Sequence, residues 1–210
     1  MAQPNRFWNW IARRYARTPV ADEAAYREKL ARTQARLDPG WRMLEIGCGT
    51  GSTALEHAPH VGEILAIDFA PAMIEICREK AAAAGIDNIR FETATIDSLQ
   101  IAPGSFDAAL AMSILHLVED RDAVIAKLFD ALRPGGLFVS STICLAGRAR
   151  LLRSTILPLG NLLGLLPRIA AFSREDLATA IEAAGFEIEE IWQPGEAPSK
   201  AVFIIARKPD

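Results

Sequence analysis

The feature that most constrains this chain is a glycine-rich turn between a strand and a helix, Leu44-Glu45-Ile46-Gly47-Cys48-Gly49-Thr50-Gly51. Arg42–Ile46 reads as a short strand, and a helical stretch follows to about Ala58. Glycines at such a junction let the backbone turn sharply and approach a ligand without Cβ clashes. The helix N-terminus behind them offers N–H groups that have no partner within the helix. A nucleotide-like cofactor is therefore expected at this edge of the sheet.

The alternation continues downstream. Glu63–Asp68, Ile89–Thr93, Phe106–Met112 and residues 137–142 read as strands, and Phe106–Met112 is apolar enough to be buried on both faces. Pro71 opens a helix that Gly85 closes, and residues 120–132 form another that Pro134-Gly135-Gly136 breaks. Ser173 with Asp176 caps a helix running to Gly185, and two strands follow, at about 187–193 and Ala201–Arg207. Upstream, Tyr26, Leu30, Thr33 and Leu37 recur on one helix face that Pro39-Gly40 ends. The expectation is an α/β fold, doubly wound around a mostly parallel sheet.

With 210 residues, no internal repeats and no linker, a single domain over 1–210 is expected, with residues 1–40 as an N-terminal helical cap. Residues 151–172 break the rhythm: they are leucine-rich but interrupted by Arg153, Pro158, Gly160, Gly164, Pro167 and Arg168. Those interruptions exclude a membrane span and argue against one long helix, so residues 147–172 are expected to be an apolar lid inserted over the ligand end of the sheet.

Composition narrows the partners. The formal net charge of -3 argues against nucleic acid, whose phosphates need a basic surface. Three scattered cysteines are too few for a disulfide framework or a zinc site, which points to a reduced compartment, the cytoplasm, and to no metal. No uninterrupted apolar run of about 18 residues occurs. Arg6, Arg13, Arg14 and Arg17 stand among Phe7, Trp8, Trp10, Ile11 and Tyr15 with no acid before Asp22. Such a start suits either a transit peptide or, with its bulky aromatics, a helix packed on the domain.

Two acids choose the cofactor. In the dinucleotide fingerprint G-x-G-x-x-G the third glycine would fall on Ser52; this chain has G-x-G-x-G, with Glu45 two residues upstream. A carboxylate there would repel a pyrophosphate and attract the ammonium of a methionine moiety. Asp68, ending the second strand, is placed to accept two ribose hydroxyls; the alternative is a loop Asp that precedes a helix.

The runs MLEIGCGTG, AIDFAPAMIEIC, SFDAALAMSILHLV and LRPGGLFV together resemble the class I S-adenosylmethionine (SAM)-dependent methyltransferases. The likeness is nearest to the small-molecule group that includes ubiquinone- and menaquinone-biosynthesis enzymes, and it covers about residues 42–142. It implies a Rossmann-like methyltransferase fold of seven strands with an antiparallel last strand, and S-adenosylhomocysteine (SAH) as the product. By position it implies that Gly47, Cys48 and Gly49 line the methionine and ribose end of SAM, that Asp68 holds the ribose, and that Phe69 and Met73 flank the adenine. Where the family often has Gly-Asp-Ala after the third strand, this chain has Ala94-Thr95-Ile96. Thr95 thus replaces the acid that bonds the adenine amine, Ile96 is left to pack on the ring, and Asp97 is the alternative acceptor. Met112 and Ser113 should sit beside the sulfonium. FWNWIARRY resembles the family's capping helix, in which Tyr15 either approaches the methionine portion or is a core aromatic.

Methyl transfer is an in-line displacement that needs alignment and exclusion of water, and for some acceptors a base. His116, just past the fourth strand, is the candidate, the alternative being a packing role. His57 and His60 read as surface residues, Cys48 and Cys77 as small or buried positions, and Cys144 as a neighbour of the substrate.

Enzymes that methylate amide or adenine nitrogens usually carry Asn/Asp-Pro-Pro-Tyr after the fourth strand; here Met112-Ser113-Ile114-Leu115 stands instead. The apolar lid, flanked by Arg148, Arg150, Arg153 and Arg168, suggests a quinone, isoprenoid or lipid substrate and contact with a membrane surface. A small aromatic or heterocyclic acceptor, a non-catalytic SAM-binding module and a nicotinamide-dependent oxidoreductase are the rival readings. The oligomeric state is left open.

Overall fold

The strands form because β-branched and aliphatic runs alternate with turn residues at the expected spacings, and in the computed structural model they pair into one sheet. The structure describes residues 5–144, 170–195 and 201–210. Among these, the strands are β1 Arg42–Ile46, β2 Glu63–Asp68, β3 Ile89–Thr93, β4 Phe106–Met112, β5 Leu132–Ile143, β6 Glu187–Trp192 and β7 Ala201–Arg207. Their order is β3-β2-β1-β4-β5-β7-β6. The pairs from β3 through β5 are parallel, and β7 runs antiparallel to both neighbours. The order reverses between β1 and β4, which opens a crevice at their C-terminal ends.

The described helices are α1 Asn5–Tyr15, α2 Glu23–Gln34, α3 Ser52–His57, α4 Pro71–Ala84, α5 Arg121–Ala131 and α6 Arg174–Ala183. The side chains of Asp22 and Asp120 cap α2 and α5, and Ser173 with Asp176 forms a reciprocal capping box on α6. Strand alternation sends side chains to two cores. Leu44, Ile46, Ala109, Phe138 and Ile204 pack with α5 and α6, whereas Met43, Ile64, Leu110, Val139 and Phe203 share the other face with Ala54 of α3 and Ile74 of α4. α1 lies on α4: Ala12 is fully buried in a small cluster with Ala70, Met73 and Ile76, and Asn9 Oδ1 accepts from Ala72 N at 3.0 Å. α2 is tied to the far edge of the sheet, where Arg36 donates to Glu190 at 2.9 Å and Arg32 pairs with the same carboxylate.

Three details differ from the sequence reading. β5 starts at Leu132, so Pro134-Gly135-Gly136 lies inside a strand as a bulge, with the register against β4 shifting between Phe106 and Ala108. Pairing with the C-terminal segment favours this, since Gly135 N donates to Lys208 O and Lys208 N to Gly136 O, both at 2.9 Å. Helix α2 ends at Gln34 rather than Leu37. His57 is not a surface residue: it is the last residue of α3, on the same inward side as Ala54 and Ala58, and is 1% exposed. Burial pushes its ring down to about 4, so it stays neutral at neutral pH. Cys77 is buried as expected, and Cys48 in the turn is buried too. Most of the segment expected to form a lid, residues 147–169, lies outside the described residues; after it, Ala170 N donates to His116 O at 2.8 Å and buried Phe172 lies under the Arg121 guanidinium.

Phe138, fully buried, stacks on Phe186 with ring centroids 4.9 Å apart. Phe138→Ala is expected to cost about 3–5 kcal/mol in denaturant unfolding, because removing a large buried ring leaves a cavity as well as losing transfer energy. A loss below about 1 kcal/mol would mean that the α5–α6 side of the core refills without strain.

Candidate functional site

A cavity of about 780 Å³ opens where β1, β2, β4 and β5 end. Glu45, Asp68, Met112 and Ser141 all line it. They continue, two residues on, the alternation of Met43, Ala66, Leu110 and Val139 on the face that carries α3 and α4.

The glycine turn forms one wall. Gly47 has φ 62° and Gly49 φ 54°. At Gly47 a Cβ would stand 2.6 Å from Ile114 Cγ1, so the turn is closed to any larger residue by both conformation and space. The turn is locked to β2. Asp68 Oδ2 accepts from Gly49 N at 3.0 Å, Asp68 Oδ1 accepts from Ala70 N at 2.9 Å, and Cys48 N donates to Ile67 O at 3.0 Å. Burial pushes the Asp68 carboxyl up, and the two backbone donors pull it back.

Among the described residues of the wall, Glu45 carries an unsatisfied buried oxygen. It is 2% exposed, and its Oε2 is buried without a hydrogen-bond partner. Burial first, and the nearby charge of Asp68 second, push it up to about 8. A carboxyl held in this way is set to receive a cation.

The opposite wall comes from α1, α2 and their connection. Trp8 and Tyr15 meet edge-to-face at 6.4 Å, and Tyr15 Cε1 stands beside the Gly49 backbone. Phe69 and Met73 line the cavity beyond Asp68. At the end of β4, Ser113 adopts φ 58°, a left-handed conformation rare outside glycine, and its N donates to Ser141 O at 2.7 Å. Backbone strain of this kind concentrates at ligand sites.

Ten of the residues singled out from the sequence therefore share one cavity: Tyr15, Glu45, Gly47, Cys48, Gly49, Asp68, Phe69, Met73, Met112 and Ser113. Thr95, Ile96 and Asp97 are not on its wall. The Thr95 hydroxyl closes a turn with Ser98, Ile96 is buried in the core, and Asp97 is exposed. His116 also stays off the wall, although Ile114 and Leu117 line it. Its Nδ1 is buried without a partner among the described residues, and burial lowers its pKa. The structure adds Tyr26, Lys29, Thr53 and Ser141. The helical period had placed Tyr26 on the buried face with Leu30 and Thr33. Nothing in the sequence alone distinguished Lys29 from a solvated helix lysine.

Comparison with known proteins decides the family. Residues 43–136 match the model of a methyltransferase domain. The ubiquinone biosynthesis O-methyltransferase of Sinorhizobium fredii is 31% identical over 156 residues, which cover 72% of this chain and 62% of that protein. The crystal structure of YcgJ from Bacillus subtilis superimposes with a TM-score of 0.71 at 18% identity, over 88% of this chain and 99% of that one. That of geranyl diphosphate C-methyltransferase from Streptomyces coelicolor, holding geranyl diphosphate and SAH, gives 0.71 at 15% identity over 89% and 78%. This chain belongs to the class I SAM-dependent methyltransferases. It spans less than two thirds of the length of the curated relatives it matches.

The walls fit the methyltransferase cofactor. An orphaned carboxyl at Glu45 suits an ammonium, each Asp68 oxygen keeps a lone pair after its backbone bond, and Gly49 has no Cβ to obstruct a ligand. Gly47→Ala is expected to weaken SAM or SAH binding at least tenfold in calorimetry and to lower the melting temperature by a few degrees. The added methyl meets Ile114 and forces a left-handed alanine, strain of about 1–2 kcal/mol before the clash. Unchanged affinity would mean that the turn relaxes freely.

Proposed function

We propose that the protein transfers the methyl group of SAM to a small apolar or amphipathic molecule of the quinone, isoprenoid or lipid class. The observation that carries the reading is one cavity that joins two carboxylates, at the ends of β1 and β2, to apolar side chains that follow β4 and lie in β5, Ile114, Leu117 and Ile143. Support comes from the relative named as a ubiquinone biosynthesis O-methyltransferase and from the structural neighbour that holds geranyl diphosphate. A half-apolar cavity beside an exposed aromatic, basic helix also suits an acceptor drawn from an anionic membrane surface: Trp10 is 81% exposed, with Arg6, Arg14 and Arg17 exposed on the same segment. Among the described residues no helix is long and apolar enough to cross a membrane.

The residues then divide the work. SAM supplies a methyl group already activated by its sulfonium. Asp68 accepts the two ribose hydroxyls, and Glu45 receives the methionine ammonium. Gly47, Cys48 and Gly49 let the chain pass close to the amino-acid portion, and Phe69 and Met73 pack on the adenine. Met112 and Ser113 sit where nucleophile, methyl and sulfur must align, and Trp8 and Tyr15 cover the cavity against water. Alignment and water exclusion supply the acceleration. His116, off the cavity wall, is given no step.

The test is to incubate the protein with methyl-labelled SAM and a lipid extract of cells, and to identify labelled products by mass spectrometry. Labelled apolar products are expected from the unsubstituted protein and not from Asp68→Ala, whose SAM affinity should fall more than tenfold, since hydrogen bonds to a charged group are worth about 1.5–3 kcal/mol. Labelling confined to water-soluble, non-lipid metabolites would reject the acceptor class, and no labelling with SAM bound would reject methyl transfer.

Glu45 makes binding pH-dependent. Its carboxyl sits near 8 in the ligand-free fold against 4.5 in an unfolded chain. The fold therefore holds a proton that the unfolded chain has released, and ligand-free stability falls as pH climbs through that window. Pairing with an ammonium favours the carboxylate, so binding should release a proton at pH 7, and SAM affinity should rise between about pH 6 and 7.5, below the α-amino pKa of roughly 7.7–8.0. Glu45→Gln should remove both effects and raise the melting temperature of the ligand-free protein at pH 8. Calorimetry in buffers of different ionisation enthalpy counts the proton; a count of zero would leave Glu45 out of the ammonium site.

A further inference from the structure

The β5 side of the cavity carries a cation that none of the cofactor contacts named above uses. Lys29 lies mid-way along α2, half-buried, and its Nζ donates to Ser141 Oγ at 2.9 Å at the end of β5. It is the one basic side chain among the described residues of the wall, whose other charges are Asp22, Glu45 and Asp68. Asp22, the acid that acts on Lys29 through space, has its side chain engaged in capping α2 through Ala25 N at 3.0 Å. The bond to Ser141 uses one of three N–H donors on Nζ, and it leaves the Ser141 hydroxyl proton free to point elsewhere. Burial pushes the Lys29 pKa down, the sign of a cation placed where water cannot fully solvate it.

Position along the sheet edge separates this pair from the cofactor. The cavity meets β2 at Asp68, β1 at Glu45, β4 at Met112 and β5 at Ser141, in the order in which these strands pair. Neighbouring strands lie about 4.8 Å apart, so Ser141 is roughly 10 Å from β1 and roughly 14 Å from β2. A nucleoside held by ribose at β2 and by its ammonium at β1 leaves the β5 end to the other reactant. Ile143, two residues on along β5, lines the same end.

We propose that Lys29 and Ser141 form a subsite for an acid group, a carboxylate or phosphate, on the methyl acceptor. This rests on the methyl-transfer reading above and deepens it: the acceptor is an apolar body with an anionic end. One oxyanion accepts from Lys29 Nζ and Ser141 Oγ together, which repairs the incomplete solvation of the lysine, while the apolar part lies against Ile143.

Two measurements test this. In calorimetry with SAH, Lys29→Met and Ser141→Ala should each bind within about twofold of the unsubstituted protein. A tenfold or greater loss in Lys29→Met would assign the lysine to the methionine carboxylate of the cofactor and overturn the proposal. In cell extract with methyl-labelled SAM, the labelled product should be retained on an anion exchanger at pH 7. Its rate of formation at low acceptor should fall at least tenfold in Lys29→Met, less in Lys29→Arg, and several-fold in Ser141→Ala, the variant that stands in if Lys29→Met does not fold. An uncharged product overturns this subsite while leaving methyl transfer intact. Absence of any labelled product despite SAH binding removes the acceptor reading and this subsite together.

Discussion

The Asp68 carboxylate holds the cofactor end of the molecule together. One oxygen takes the Gly49 amide and the other the Ala70 amide, so a single side chain ties the glycine turn after β1 to the start of α4 after β2. Without that tie, a turn with left-handed glycines at 47, 49 and 51 has little to fix it, since glycine costs the most backbone entropy to order. Parallel pairing of Ile46 with Ile67 delivers the carboxylate to the amide, and the Cys48–Ile67 backbone bond continues the ladder one residue into the turn. The same oxygens, each with a lone pair to spare, then face the cavity.

Electrostatics there is arranged at the expense of the ligand-free state. Two acids, Glu45 and Asp68, sit buried on adjacent strands, and only Asp68 has its donors. Glu45 accordingly keeps its proton near neutrality. A cation placed at Glu45 would relieve both its desolvation and its repulsion from Asp68; in the proposed function, cofactor binding and folding are linked through this residue. The strained backbone of Ser113 belongs to the same economy of the site: its amide is used by Ser141, which fixes the mouth of β4 against β5.

Helices α1 and α2 complete the enclosure and are held from opposite ends. α1 is fastened to α4 by Ala12, Asn9 and the exposed Arg13–Glu79 pair, and α2 to the β6 edge by Arg32 and Arg36. Between them run Thr18, Pro19, Val20 and Ala21, which line the cavity. The helices thus form a cover whose anchors are remote from the site, and that allows its inner face to carry Tyr15, Tyr26 and Lys29 without those side chains also having to bear the packing.

Much was legible in the sequence. Short apolar runs between turn residues placed six of the seven strands nearly to the residue, and glycine spacing placed the turn, because these signals are local and each residue reports its own φ, ψ and burial. Misreadings arose where distant chain intervened. Pro134-Gly135-Gly136 looked like a break but is a bulge because Lys208, more than seventy residues away, supplies its hydrogen bonds. His57 looked like loop surface but is inside because α3 turns it toward the sheet. Thr95, Ile96 and Asp97 sit at the right distance along the chain, yet the turn that Thr95 makes with Ser98 leaves them off the wall. Lys29 carried no local signal whatever. The sequence by itself determined the order of strands and helices, the glycine turn and the identity of the two carboxylates. Only the tertiary structure decided which side chains share the cavity, since a lysine on α2 and a serine on β5, 112 residues apart, meet solely because the sheet between them is packed in one topology.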